Sequence, residues 1–109
     1  FEPDEKFEYS NSNYALLTFI AEDVAKKNFP QILQETIIKP CHLKNTLAGD
    51  KINTHNNEAL SYSKLSDWKQ EKETDMSIPL GAGNIISTPF DLNTFLDCLF
   101  EKKLVSDEV

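Results

Sequence analysis

Phe1-Glu2-Pro3-Asp4-Glu5-Lys6-Phe7-Glu8-Tyr9-Ser10-Asn11-Ser12-Asn13-Tyr14-Ala15-Leu16-Leu17 is the stretch on which the fold turns. Its polar run, Ser10 to Asn13, supplies N-cap candidates for the segment that follows. There Leu17, Ile20, Ala21 and Val24 recur at i, i+3, i+4 and i+7, with Thr18, Glu22 and Lys26 opposite. That spacing predicts a helix from Tyr14 to about Lys27. Leu16 and Phe19 widen the apolar stripe, so burial on more than one side is expected. Tyr9 and Asn11 lie two residues apart just ahead of this helix, and both can face a cleft if Ser10 turns away. A tyrosine phenol can relay the proton of a serine nucleophile, and an amide can hold a substrate amide in place. Taken alone, a packed tyrosine followed by an ordinary Ser/Asn cap is the simpler reading of three residues.

Two further helices are signalled downstream. Asn28 is a plausible cap for a short helix from about Pro30 to Ile38, with Phe29, Ile32 and Leu33 on one face and Pro40 as its stop. Thr88 caps the third helix, Pro89 takes its first position, and Asp91 is placed to reach back as in a capping box. Leu92, Phe95, Leu96 and Leu99 form its apolar face, and Lys102 and Lys103 suit the negative end of its dipole. Between Leu43 and Pro79 helical periodicity is lost. Ala59 to Lys64 alternates, with Leu60 and Tyr62 on one side, which predicts a short strand; Lys69 to Asp75 reads as a solvated loop. The fold class is therefore α+β, mainly α: three main helices and a short irregular β segment.

Composition narrows the functions open to the chain. Its 109 residues fit one domain, and no stretch approaches the roughly 20 apolar residues of a spanning helix. Eleven basic against 18 acidic residues give a net charge of −7, which argues against a nucleic-acid or anionic-membrane partner. Cys41 and Cys98 are too few for a disulfide framework, and their spacing leaves open whether they pair. Cys41, His42, His55 and Cys98 lack the short spacings of a zinc site, so buried cysteines and surface histidines are the expectation. Gly81-Ala82-Gly83 lacks the third glycine of a dinucleotide loop and reads instead as a place where backbone passes close to a neighbouring element. No cofactor or metal is implied.

Three blocks in order resemble the serine β-lactamases and penicillin-recognising hydrolases, within them the class C β-lactamase, D-alanyl-D-alanine carboxypeptidase and esterase group. The first, Phe1 to Leu17, is similar to that family's Phe-x-Pro-Gly-x-x-Phe-x-Tyr-Ser-Asn approach to a helix. Ile38-Lys39-Pro40-Cys41-His42-Leu43-Lys44-Asn45-Thr46 is similar to Ile-x-x-Pro-Leu-Gly-Met-x-x-Thr. Gly81-Ala82-Gly83-Asn84-Ile85-Ile86-Ser87-Thr88-Pro89-Phe90-Asp91-Leu92 is similar to Ala-Gly-Gly-Ile-x-Ser-Thr-x-x-Asp-Leu. Asp4, Lys26 or Lys27, and His42 stand where the family commonly has glycine, which marks a divergent member. The divergence favours a general peptidase, esterase or penicillin-binding role over β-lactam hydrolysis.

The resemblance implies acyl transfer through a serine, built from three elements: a Ser-x-x-Lys helix start, the Tyr-x-Asn element matched by Tyr9 and Asn11, and a Lys/His-x-Gly strand. Only the second is present. Ser61-Tyr62-Ser63-Lys64 matches the first as a string, but it lies downstream and on a strand pattern; Lys72-Glu73-Thr74 and Ser66-Asp67-Trp68 match neither of the family's remaining motifs. Residues 1–109 are thus expected to be one partial domain, the central helical part of a catalytic domain whose flanks carry the nucleophile. The start at Phe1, without Met, fits a piece of a longer protein. The expected substrate is a small molecule or peptide taken by the parent enzyme. The piece itself is expected to be inactive and to self-associate through exposed apolar faces, such as that of the third helix. A periplasmic, secreted or membrane-anchored location follows from the family alone. The competing reading is a non-catalytic binding module on the same scaffold.

Overall fold

The computed structural model describes residues 1–105. Helix α1 spans Asn11–Ala25, α2 spans Phe29–Leu33 and runs on as a π-helical turn over Gln34–Ile38, and α3 spans Pro89–Phe100. Four short strands lie between α2 and α3: β1 (Leu47–Ala48), β2 (Tyr62–Lys64), β3 (Trp68–Gln70) and β4 (Ile85–Ile86). β2 and β3 form an antiparallel hairpin, with Ser63 opposite Lys69. β1 pairs antiparallel with β4, Leu47 opposite Ile86 and Ala48 opposite Ile85, so the 36 intervening residues leave and return at one point. The strand at Ala59 to Lys64 is realised at its C-terminal half. Lys69 and Gln70, expected in a loop, instead pair with it because Tyr62 and Ser63 offer backbone partners.

The helix ends follow local chemistry. α1 begins three residues earlier than the apolar repeat suggests, since Ser10 adopts the extended N-cap conformation while its side chain makes no cap bond. The helix stops at Ala25, where Lys26 turns left-handed (φ 54°). Asn28 accepts from Gln31 N at 3.0 Å and Gln31 Oε1 accepts from Asn28 N at 3.2 Å, a complete capping box for α2. Thr88 Oγ1 accepts from Asp91 N at 3.3 Å at the start of α3. Asp91 does not return the bond to Thr88; its carboxylate is turned toward the Asn45–Thr46 segment instead. α3 closes at Phe100, so Lys102 and Lys103 lie beyond its last turn, and Lys103 pairs with Glu101.

The core is small: Leu33, Ile38, Cys41, Leu43 and Cys98, flanked by the half-buried Phe29, Ile37, Ala48, Phe95 and Leu104. It lies between α2 and α3. α1 presents the reverse of its expected face. Thr18, on the polar side, is its buried residue, whereas Leu17, Ile20 and Val24 are exposed. The reason is hydrogen bonding: Thr18 Oγ1 donates to Tyr14 O (3.1 Å) and accepts from Gly81 N (3.0 Å), locking α1 to the 3₁₀ turn at Leu80–Ala82. A Cβ at Gly81 would fall 2.3 Å from that hydroxyl, the close approach the glycines foretold. The inner face of α3 is likewise Asp91 and Cys98 with half-buried Phe95, and Leu92 and Leu96 face outward.

Cys41 and Cys98, left open by their spacing, form a disulfide across 57 residues. The Cys/His set considered for zinc is thereby dismantled. Asp4 (φ 66°), Lys26 (φ 54°) and His42 (φ 55°), the three replacements of family glycines, all occupy the left-handed region. Lys26, not Lys27, is the one that takes the glycine conformation.

Candidate active-site corner

The extended backbone at Ser10 (φ −147°, ψ 124°) carries the chain into the first turn of α1, and there Tyr9 and Asn11 project to the same side. Tyr9 Oη donates to Asn11 Oδ1 at 2.9 Å. Tyr14, one turn on, packs its ring against Tyr9 with centroids 5.5 Å apart at 39°. The phenol is thus held from two directions although Tyr9 is 62% exposed. Because Asn11 spends its oxygen on the phenol, both of its Nδ2 hydrogens are available to a ligand carbonyl. Ser10 is half-buried between them. The two residues singled out from sequence are therefore brought together, on one face, at hydrogen-bond distance.

Thr18 was missed as a support of this corner. It accepts no notice from hydropathy, yet it anchors α1 two turns below Asn11 by bonding to Gly81 across 63 residues of chain. Asp91 was misassigned rather than missed. It is 2% exposed, and its Oδ2 accepts from Asn45 N (2.7 Å) and Thr46 Oγ1 (2.8 Å), while Thr46 Oγ1 also meets Ser87 Oγ at 2.8 Å. Burial raises the pKa of Asp91, but the bonds from Asn45 N and Thr46 Oγ1, then Lys44 N and the Asn45 side chain, outweigh it and hold the carboxyl below its ordinary value.

The string Ser61-Tyr62-Ser63-Lys64 does not make a nucleophile. Ser61 precedes β2, where alternate residues face opposite ways, so Ser61 and Lys64 point apart. Lys64 Nζ sits 5.5 Å from the Trp68 ring centroid and Ser61 O accepts from Glu71 N at 2.9 Å. An open groove of about 1,410 Å³ runs between the hairpin and the β1–β4 pair, walled by Asn45, Leu47, His55, Ser61, Ile86 and Ser87 among others. Tyr9 and Asn11 do not line it.

The Beta-lactamase family model matches residues 1–109, the whole chain, and the chain belongs to that family. Among curated proteins, Protein flp of Staphylococcus aureus (strain MRSA252) is 34% identical over 61 residues, 56% of this chain and 12% of that protein. Among solved structures, D-amino acid amidase from Ochrobactrum anthropi SV3, complexed with L-phenylalanine amide, superposes with a TM-score of 0.85 at 26% identity, over 99% of this chain and 33% of its own. The penicillin-binding protein from Bacillus halodurans gives a TM-score of 0.83 at 20% identity, over 99% of this chain and 34% of its own, and so shares the fold. The chain spans about a third of the solved relatives and about an eighth of the curated one.

Proposed function

We propose that this chain supplies the Tyr-x-Asn corner of an acyl-serine hydrolase that cleaves an amide or peptide bond. The observation that carries the reading is the Tyr9 Oη–Asn11 Oδ1 bond at the start of α1, which sets a proton-relaying phenol beside a carbonyl-binding amide. In the proposed reaction the serine of a Ser-x-x-Lys element, outside residues 1–109, attacks the substrate carbonyl. Tyr9 passes the proton to the leaving amine, Asn11 Nδ2 holds the substrate's acyl-side amide, and water then releases the acid. An amide substrate is favoured over a β-lactam by the likeness to an enzyme whose name is D-amino acid amidase, and by three left-handed non-glycines that mark divergence.

The chain by itself lacks the nucleophile, and removing one member of a group that acts together abolishes most of the rate enhancement. Labelling the full-length protein with a fluorophosphonate tests the reading. Labelling that Tyr9→Phe slows by about 100-fold or more supports it. No labelling, with intact binding of a peptide ligand, would instead favour the non-catalytic module. The same proposal places the exposed apolar residues of α1 and α3 against the rest of the parent enzyme, and in the isolated chain against a second copy. A periplasmic, secreted or membrane-anchored setting belongs to the same reading.

A further inference from the structure

We propose that Cys41 and Cys98 are an oxidative maturation site, closed by a disulfide donor, that fixes the β1–β4 seam forming one wall of the groove. The geometry that carries this is a clamp with two jaws. Asp91 and Cys98 stand seven residues apart on α3 and both face inward, with exposures of 2% and 3%. Each grips the same short segment: Cys98 is bonded to Cys41, and Asp91 accepts from Asn45 N and Thr46 Oγ1. That segment continues directly into β1, while α3 is the direct continuation of β4 and Ser87–Thr88. The clamp therefore joins the two ribbons, residues 44–47 and 85–88, that wall one side of the groove.

The covalent jaw is needed because the core is thin. Two of its five buried apolar residues are the bonded cysteines themselves. Residues 1–109 hold no third cysteine, so a disulfide within them has a single connectivity. Formation is by thiol–disulfide exchange. The thiolate of one cysteine attacks a sulfur of a donor R–S–S–R, releasing R–SH once protonated. The second thiolate then attacks the mixed disulfide, forming Sγ–Sγ and releasing the second R–SH. The two electrons and two protons lost by the cysteines leave with two molecules of R–SH. A low-molecular-weight disulfide or an oxidised dithiol protein serves as R–S–S–R, which assigns maturation to an oxidising compartment. This inference stands on the clamp and is independent of the hydrolase reading.

The test uses the full natural polypeptide carrying this chain. After preparation through an oxidising compartment, alkylation under denaturing conditions and peptide mapping should find Cys41 and Cys98 unmodified; alkylation of both, persisting after incubation with oxidised glutathione, would overturn the proposal. Reduction should lower the Tm of the full polypeptide by about 5 °C or more, and an unchanged Tm would overturn the proposal. Since both sulfurs are buried, dithiothreitol must wait for the clamp to open. Thr46→Val, which removes one bond to Asp91, should speed native-state reduction about tenfold. An unchanged rate would show that Asp91 and the disulfide are not parts of one device.

Discussion

Asp91 shows how a residue can be correctly noticed and given the wrong job. Its place three residues after Thr88 marks a capping box in sequence, and Thr88 does cap Asp91 N. The carboxylate, however, finds two donors 45 and 46 residues away, which no local pattern can reveal. Its depressed pKa fixes the sign of a pH effect: the stability it confers is present above the unfolded carboxyl value of about 4 and is lost as pH falls through the lower folded value. Thermal melts between pH 7 and pH 2 should therefore show an acid limb, and Asp91→Asn should flatten it while lowering Tm at neutral pH. Lys26 offers the opposite case. A lysine held at φ 54° carries strain that glycine lacks, so Lys26→Gly should raise stability by about 1 kcal/mol in urea unfolding. At Gly81 the reverse substitution is costly: Gly81→Ala drives a methyl into Thr18 Oγ1 and should cost about 2 kcal/mol by the same measurement. Tyr9 and Asn11 were legible because the stretch around them resembles the family's Tyr-x-Asn element, the spacing alone being too short a signal; Thr18 was not, because its partner lies 63 residues on.

At the level of elements, what could be read from the sequence was what local chemistry dictates. Thr88-Pro89 fixes the start of α3 and Asn28 caps α2, both as their residue types predict, while the return bond from Asn28 N to Gln31 Oε1 emerges only in the structure. Periodicity also identified α1, but the apolar face it pointed inward, Leu17, Ile20 and Val24 widened by Leu16 and Phe19, is the exposed one. Apolar residues at 17, 20 and 24 describe a stripe that needs a partner, and within residues 1–105 the partner on offer is the polar turn at Gly81. The β2–β3 hairpin was half legible, since the alternation at 59–64 is readable while a mixed run such as Trp68-Lys69-Gln70 becomes a strand through its neighbour. A two-stranded hairpin is marginal by itself. Amide hydrogen exchange at Lys64 and Gln70 should accordingly be faster than at Leu33 or Cys98, by about 100-fold or more.

For the whole molecule, 9041 Å² of accessible surface stands against about 6,100 Å² for a compact protein of this mass, and the radius of gyration is 16.6 Å against about 13 Å. Exposed residues include Leu16, Phe19, Ile20, Leu92, Leu96 and the fully exposed Leu65. Such a surface matches a chain that spans a third of its solved relatives. Sedimentation of the isolated chain should show concentration-dependent dimers or larger species, and a chromogenic cephalosporin or a D-amino acid amide should be turned over at the uncatalysed rate. A strictly monomeric profile at high concentration would count against the apolar faces as contact surfaces.

The pairing of β1 with β4 carries a consequence for exchange between relatives. Because Leu47 faces Ile86 and Ala48 faces Ile85, and Gly49 N donates to Asn84 O at 2.5 Å, the excursion from 49 to 84 starts and ends on a single stitched seam. Its ties to the main body beyond that seam include the Gly81–Thr18 bond, while the disulfide and the Asp91 bonds lie outside it. The excursion is therefore a cassette. A chimera that takes the corresponding excursion of a relative, cut at the seam and keeping the glycine opposite Thr18, should change the groove's lining and leave the core's thermal melt within a few degrees of the parent's, which a melting curve checks.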